Sequence, residues 1–235
     1  MAATVVLVHG SFLGPWSWSD VTEVLERFGV GSVVVDLPSG FDGVRGAAGD
    51  LHDDAASVRE ALDAVGGPVV LCGHSYGGAV ITEAGAGPHP AVRHLVYVAG
   101  AVPDAGQSLT DLSPPPVLGV RESVRWRPDG MLELDAVSAR QALFHDCSVE
   151  RAEQAVALLR PSNPVIGGQA VRAAAWRGVP LTLVRGSRDR MPELVSRAVP
   201  RGEVETVVLP TGHCPNWSRP DLLGEVLAEV ACSTG

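Results

Sequence analysis

The sequence predicts an α/β fold: a mostly parallel, doubly wound sheet with an inserted cap. Three observations predict it. Short segments rich in β-branched and apolar residues recur at residues 4–8, 32–35, 92–98, 181–184 and 205–209, the first with no polar break, as a strand buried on both faces should look. Helical stretches fall between them, and strands that alternate with helices imply parallel pairing through crossovers. At Leu71-Cys72-Gly73-His74-Ser75-Tyr76-Gly77-Gly78 one such strand passes to a helix through a Gly-x-Ser-x-Gly turn.

Composition sets the outer bounds. With 235 residues, of which 46% are hydrophobic, the chain can bury the core of one large domain. A net charge of −9 argues against nucleic acid or an anionic membrane as a partner and leaves a small molecule. All 18 basic residues are arginine, a mark of GC-rich codon usage. The apolar run at residues 5–8 is too short to span a bilayer. It also lacks the basic flank and cleavage site of a signal peptide, so it reads as a strand. The four cysteines, Cys72, Cys147, Cys214 and Cys232, show no metal-ligand spacing. Reduced thiols in a cytoplasmic protein are the expectation.

The elements follow in order. The strand at 4–8 ends in His9-Gly10-Ser11-Phe12-Leu13-Gly14, where two glycines permit a tight loop and the Ser11 amide is a candidate oxyanion donor. Residues 16–28 predict an amphipathic helix, with Ser17 or Ser19 as its cap. After the strand at 32–35, Asp36 to Gly40 form a turn, and residues 46–65 hold a helix with Asp50, Asp53, Asp54 and Glu60 on its wet face. Residues 68–72 form the strand before the Gly-x-Ser-x-Gly turn, and 78–86 the small-residue helix after it. That turn presents the Ser75 hydroxyl above the sheet edge and aims the Tyr76 amide at a developing oxyanion. Glycine is needed on either side because a Cβ would strike a neighbouring backbone. The last helix runs from about residue 220 to 230.

Residues 101–178 break the alternation and predict a cap, set between core segments 1–100 and 179–235 of a single domain. A proline run at 114–116 reads as a rigid connector, and Pro128-Asp129-Gly130 as the turn of a hairpin within 124–134. Helical stretches follow at 138–144 and 149–159. The strand ends beneath this segment are where open α/β sheets bind ligands.

A serine hydroxyl needs a base within hydrogen-bond reach, and the base needs an orienting carboxylate. The chain order Ser, acid, His expected on this topology is met by Ser75, Asp189 and His213, the last two in loops directly after strands. Asp104, after the strand at 92–98, is the rival acid; Asp36 reads as structural. His9 and His74 are expected to bond the backbone of the oxyanion loops, His94 to be a satisfied core residue, and His52 and His89 to face solvent. The apolar candidates for substrate contact are Phe12, Leu13, Tyr76, Trp126, Phe144, Trp176 and Trp217, which together suggest an apolar substrate, while His145-Asp146 in the cap fits either substrate contact or a helix end. Trp16 and Trp18, at a helix start, are as well suited to the core, and Cys214 to packing beside the base.

These residues resemble the α/β-hydrolase superfamily. The likeness is to the small, short-capped group that holds plant methylesterases, hydroxynitrile lyases and bacterial esterase-like relatives. It rests on residues 9–18, 73–81, 94–106, 144–147 and 212–220. The resemblance implies Ser75, Asp189 and His213 as a triad, the Ser11 and Tyr76 amides as the oxyanion hole, and neither cofactor nor metal. Residues 114–130 match the group least. The lyases place a lysine beside the catalytic histidine; this chain has Cys214 there and no lysine, which disfavours cyanohydrin cleavage. Dehalogenases of the same fold use an aspartate nucleophile, which Ser75 excludes. The expected function is hydrolysis of a small or medium apolar carboxylic ester through an acyl-enzyme, by a monomer or homodimer. The alternatives are a biosynthetic enzyme that lactonises, cyclises or transfers acyl groups with the same triad, and a ligand-binding homologue.

Overall fold

The computed structural model describes residues 2–40, 48–87, 89–113, 124–200 and 202–235. The proline run at 114–116 and the first two residues of the 46–65 segment lie outside them.

In chain order the elements begin β1 (Thr4–Val8), α1 (Ser19–Arg27), β2 (Ser32–Val35), α2 (Leu51–Ala64), β3 (Val69–His74), α3 (Gly77–Ala84) and β4 (Val92–Val98). Next come α4 (Leu109–Leu112), the strands β5 (Val124–Trp126) and β6 (Leu132–Leu134), then α5 (Ala136–Ala142) and α6 (Val149–Ala157). The chain closes with β7 (Leu181–Gly186), β8 (Glu205–Leu209), α7 (Pro215–Ser218) and α8 (Pro220–Thr234).

Six strands form one sheet in the order β2-β1-β3-β4-β7-β8. Every neighbouring pair in it is parallel. The alternation of side chains along each strand divides the core in two. Val6, Val8, Val69 and Leu71 pack with α2 and α3 on one face. Val5, Leu7, Val70 and Cys72 pack with α1 and α8 on the other. Each fully buried Val or Leu contributes roughly 1.5–3 kcal/mol over leaving it exposed, so both faces stabilise the sheet. Helices α1 and α8 approach closely because Gly224 has no side chain; a Cβ there would sit 2.4 Å from Val24 Cγ1.

Among the described residues, the 101–178 segment adds no strand to this sheet. Its β5 and β6 form a separate antiparallel hairpin closed on Gly130, whose φ is +81°. Helices α5 and α6 and the turn between them pack through Leu143, Phe144 and Ala155 onto Leu13, Cys214 and Trp217. That contact lies over the loops that leave β1 and β8.

Three local readings change. The helix read at 16–28 is a 3-10 turn, Pro15–Trp18, followed by α1, and neither serine caps it. Ser17 Oγ donates instead to the Gly14 carbonyl at 2.8 Å. Helix α2 starts at Leu51 behind an Asp50 cap that accepts from the His52 and Asp53 amides. Asp54 is fully buried rather than on the wet face. It follows Leu51 by three residues and precedes Val58 by four, so it falls on the helix's apolar stripe.

All four cysteines are free thiols. Among the described residues no helix is long and apolar enough to cross a membrane.

Candidate active site

The parallel sheet brings the loops after β1, β3, β7 and β8 to one edge. At the end of β3 the chain reverses into α3 through Ser75, whose φ of +52° lies in the left-handed region that L residues rarely adopt. Surrounding bonds hold it there. The Ser75 amide donates to the Val98 carbonyl at 3.1 Å, and the Ser75 carbonyl accepts from Ala101 at 2.9 Å. The flanking glycines are steric necessities. A Cβ on Gly73 would lie 2.4 Å from the Gly77 carbonyl oxygen, and one on Gly77 would lie 2.6 Å from that of Val8.

Above this turn a single hydrogen-bonded chain forms. Ser75 Oγ donates to His213 Nε2 at 3.1 Å. His213 Nδ1 donates to Asp189 Oδ2 at 2.9 Å. The second carboxylate oxygen of Asp189 accepts from the Met191 amide at 2.8 Å, which fixes its rotamer. Burial pushes the Asp189 pKa up, but the bond and positive potential of His213 and the Met191 N–H outweigh it, and the carboxyl ends below its ordinary value. Asp104, the rival acid, is held elsewhere: Arg177 Nε donates to it at 2.8 Å in an exposed ion pair. Its carboxyl is turned to that guanidinium, not to the imidazole.

The loop after β1 abuts the serine so tightly that a Cβ on Gly10 would lie 2.9 Å from Ser75 Cβ. Among the loops and turns described, neither the Ser11 nor the Tyr76 amide donates to a backbone carbonyl. His9 holds the loop from behind. Its Nε2 lies 3.2 Å from the Leu37 amide nitrogen and 3.7 Å from the Asp36 carboxylate, and its Nδ1 lies 2.9 Å from the Gly10 carbonyl. Arg160 holds the other side. Its amide donates to the Phe12 carbonyl at 2.9 Å, and its guanidinium donates to Asp36 at 2.6 Å. Phe12 is also left-handed, at φ +63°. His9, and with it Arg160, keep the Asp36 carboxyl at about 2, against burial. Arg160 was not singled out from the sequence. The one signal was a charge following Leu158-Leu159 at the end of a helical stretch.

His74 is buried, and burial with the nearby His213 takes its pKa down to about 3. It is therefore neutral, and its Nε2–H donates to the His213 carbonyl at 2.9 Å. It thus bonds the loop of the base, not an oxyanion loop. His94 Nε2 donates to Thr182 Oγ1 at 2.9 Å, as a satisfied residue of the sheet. His52 and His89 are not free in solvent: His52 lies 3.3 Å from Glu83, and His89 bonds Asp63 at 3.0 Å.

Most of the residues assigned to substrate contact are packed or hydrogen-bonded within the protein. Trp217 is packed edge-on against Trp16, lies under the Arg151 guanidinium at 3.4 Å, and donates from Nε1 to the Arg151 carbonyl. Trp176 donates to the Pro103 carbonyl at 2.8 Å from within the α3 side of the core. Leu13 and Phe144 are buried in the cluster beneath α5 and α6. The Tyr76 side chain points away from Ser75 into the core, where its hydroxyl donates to Asp54 at 2.6 Å. Trp126 stands 70% exposed on β5, outside that cluster. Aromatic side chains were available for packing as well as for binding, and the fold used most of them for packing. Phe12 and His145 remain partly exposed. A cavity of about 350 Å³ opens behind the acid, between Gly100, Arg185, Asp189 and Glu193; neither Ser75 nor His213 lines it.

Residues 5–226 match the family model described as the Alpha/beta hydrolase family. The chain is 28% identical to Probable hydrolase R7 from Phoma sp., over 97% of each chain. Its fold is similar to that of a pyrethroid hydrolase from Sphingobium faniae, with a TM-score of 0.81, 23% identity and 98% of each chain covered. A methylesterase from Arabidopsis superposes with a TM-score of 0.78 at 19% identity, over 97% of this chain and 98% of that one.

Proposed function

Because the chain belongs to the alpha/beta hydrolase family, we propose that it is a serine esterase acting on a small or medium apolar carboxylic ester through Ser75, His213 and Asp189. The observation that carries the reading is the unbroken chain from Ser75 Oγ through both imidazole nitrogens to Asp189. Ser75 attacks the acyl carbon while His213 takes its proton and passes it to the leaving alcohol. Water, activated by the same nitrogen, then hydrolyses the acyl-enzyme. Asp189 holds the Nδ1–H tautomer and stabilises the imidazolium that forms at each proton transfer. The Ser11 and Tyr76 amides receive the oxyanion. Phe12, partly exposed on the loop after β1, supports an apolar acyl or alcohol group. The substrate is a small molecule.

Two readouts on one sample test this. A serine-directed phosphonate should form an adduct at Ser75, located by mass spectrometry and absent from Ser75→Ala. A chain-length series of chromogenic esters should show an optimum, and Ser75→Ala should turn none of them over. Labelling without ester turnover would sink the hydrolytic reading and point to cyclisation or acyl transfer. Absence of labelling would remove the nucleophile and favour a ligand-binding protein.

A further inference from the structure

We infer that Asp146, in the turn between α5 and α6, is a positioning residue for the base, tying the 101–178 segment to the loop that carries His213. The inference rests on His213 being the base, as proposed above. Asp146 Oδ2 accepts from the Gly212 amide at 2.6 Å, directly before His213. A carboxylate on a backbone N–H at this distance is a charge-assisted bond, roughly twice as strong as a neutral one. The carboxylate also fills the place of a side chain at position 212, where a Cβ would lie 2.7 Å from Asp146 Oδ1 and 2.9 Å from His145 Nε2. Position 212 is therefore glycine so that the acid can reach the backbone.

The base is then held on both sides. The N–H of Gly212, the residue before it, is held by Asp146, and the carbonyl of His213 itself by His74. Thr211, one residue further back, accepts from the Arg188 amide at 2.9 Å and ties the base loop to the loop of Asp189. Of these ties, the bond to Asp146 alone comes from the 101–178 segment.

Packing economy does not account for the arrangement. Asp146 Oδ1 and His145 Nε2 are both buried without a hydrogen-bond partner among the described residues. A half-satisfied carboxylate beside an unpaired imidazole nitrogen costs stability, and local costs of this kind are retained where geometry serves function. What the carboxylate secures is the orientation of the Thr211–Gly212 peptide directly ahead of the base, and through it the aim of Nε2 at Ser75.

The test uses the full chain with Asp146→Ala, Asp146→Asn, Gly212→Ala and the double variant Asp146→Ala/Gly212→Ala. The rate of phosphonate labelling at Ser75 is read together with kcat, KM and Tm. Asp146→Ala should lower the labelling rate and kcat together by about 10- to 100-fold with KM within about twofold, because a misplaced base slows proton transfer rather than binding. Asp146→Asn should recover most of the loss, since its amide oxygen can accept the same N–H. Gly212→Ala reaches the same contact from the other side and should match Asp146→Ala, with the double variant no worse than either single one. Wild-type rates in folded Asp146→Ala, or an Asn variant as slow as the Ala variant, would overturn the inference. If the folded wild type is not labelled at Ser75, the triad reading fails and takes this inference with it. If the wild type labels and Asp146→Ala is indistinguishable from it, the inference alone fails. Should Asp146→Ala not fold, Gly212→Ala and Asp146→Asn decide the question.

Discussion

Gly186→Ala should cripple the enzyme from a position outside the triad. Gly186 ends β7, three residues before Asp189, and pairs in register with Leu209 at the end of β8. A Cβ there would lie 2.2 Å from the Gly212 carbonyl oxygen and 2.5 Å from that of Thr211. Both obstacles are backbone, so no rotamer relieves them. Ordinary contact requires the two loops to part by about 1 Å, given carbon contacts that settle near 3.5 Å. The acid loop and the base loop are the two being parted. The bonds from Ser187 to Leu209, at 2.8 Å, and from Arg188 to Thr211, at 2.9 Å, would stretch with them. A displacement of about 1 Å between catalytic groups costs on the order of 100-fold in rate, and overpacking of this kind costs about 1–3 kcal/mol in stability. Gly186 does not have a positive φ, so the alanine pays no backbone strain and the effect is steric alone. Gly29→Ala is the matching control. Its φ is +70° with open space around it, so it should cost about 1–2 kcal/mol in stability and nothing in kcat/KM. The assay is kcat/KM on a chromogenic ester beside thermal unfolding. Gly186→Ala with wild-type kcat/KM, and a Tm no lower than that of Gly29→Ala, would refute the steric reasoning and the link from this contact to the triad.

Other predictions follow from the same geometry. Asp189→Asn should lower kcat by about 10³- to 10⁴-fold by favouring the wrong imidazole tautomer, whereas Asp104→Ala should stay within about twofold of wild type; the reverse ranking in steady-state assays would reassign the acid. Tyr76→Phe leaves buried Asp54 with one donor fewer while the Ser39 amide at 2.8 Å remains, and should cost about 1–3 kcal/mol in denaturant melts. An unchanged melt would mean that the pair contributes nothing. Asp36 titrates at about 2 when folded, below its ordinary 3.8. Its contribution to stability is therefore complete above about pH 4 and disappears as the pH falls towards 2. Arg160→Met should move the acid-unfolding midpoint to higher pH, and superimposable acid titrations of the two proteins would count against that role.

The strands and the serine turn were legible in the sequence because their causes are short-range. Thr4–Val8, Ser32–Val35, Val92–Val98 and Glu205–Leu209 appear where short segments rich in β-branched and apolar residues predict them. Gly73 and Gly77 are demanded by steric contacts within a few residues of Ser75 or by the strand beside it. Chain order, with topology, put Ser75, Asp189 and His213 in loops at one sheet edge. Chain order favoured Asp189 as the carboxylate that meets the imidazole but left Asp104 as a rival. Asp104 and Asp189 both follow strands, and the choice depends on Arg177 arriving, from 73 residues away, to take Asp104. The fates of Trp176, Trp217 and Phe144 were equally hidden, since a large apolar ring has the same sequence signature whether it lines a pocket or fills a core. By itself the sequence determined the order of elements and the candidates for nucleophile and base, because those follow from local sterics and from the direction of parallel strands. The tertiary structure decided which polar groups find each other and which aromatics are buried, because a hydrogen bond or a packed ring depends on a partner whose distance along the chain carries no information about its distance in space.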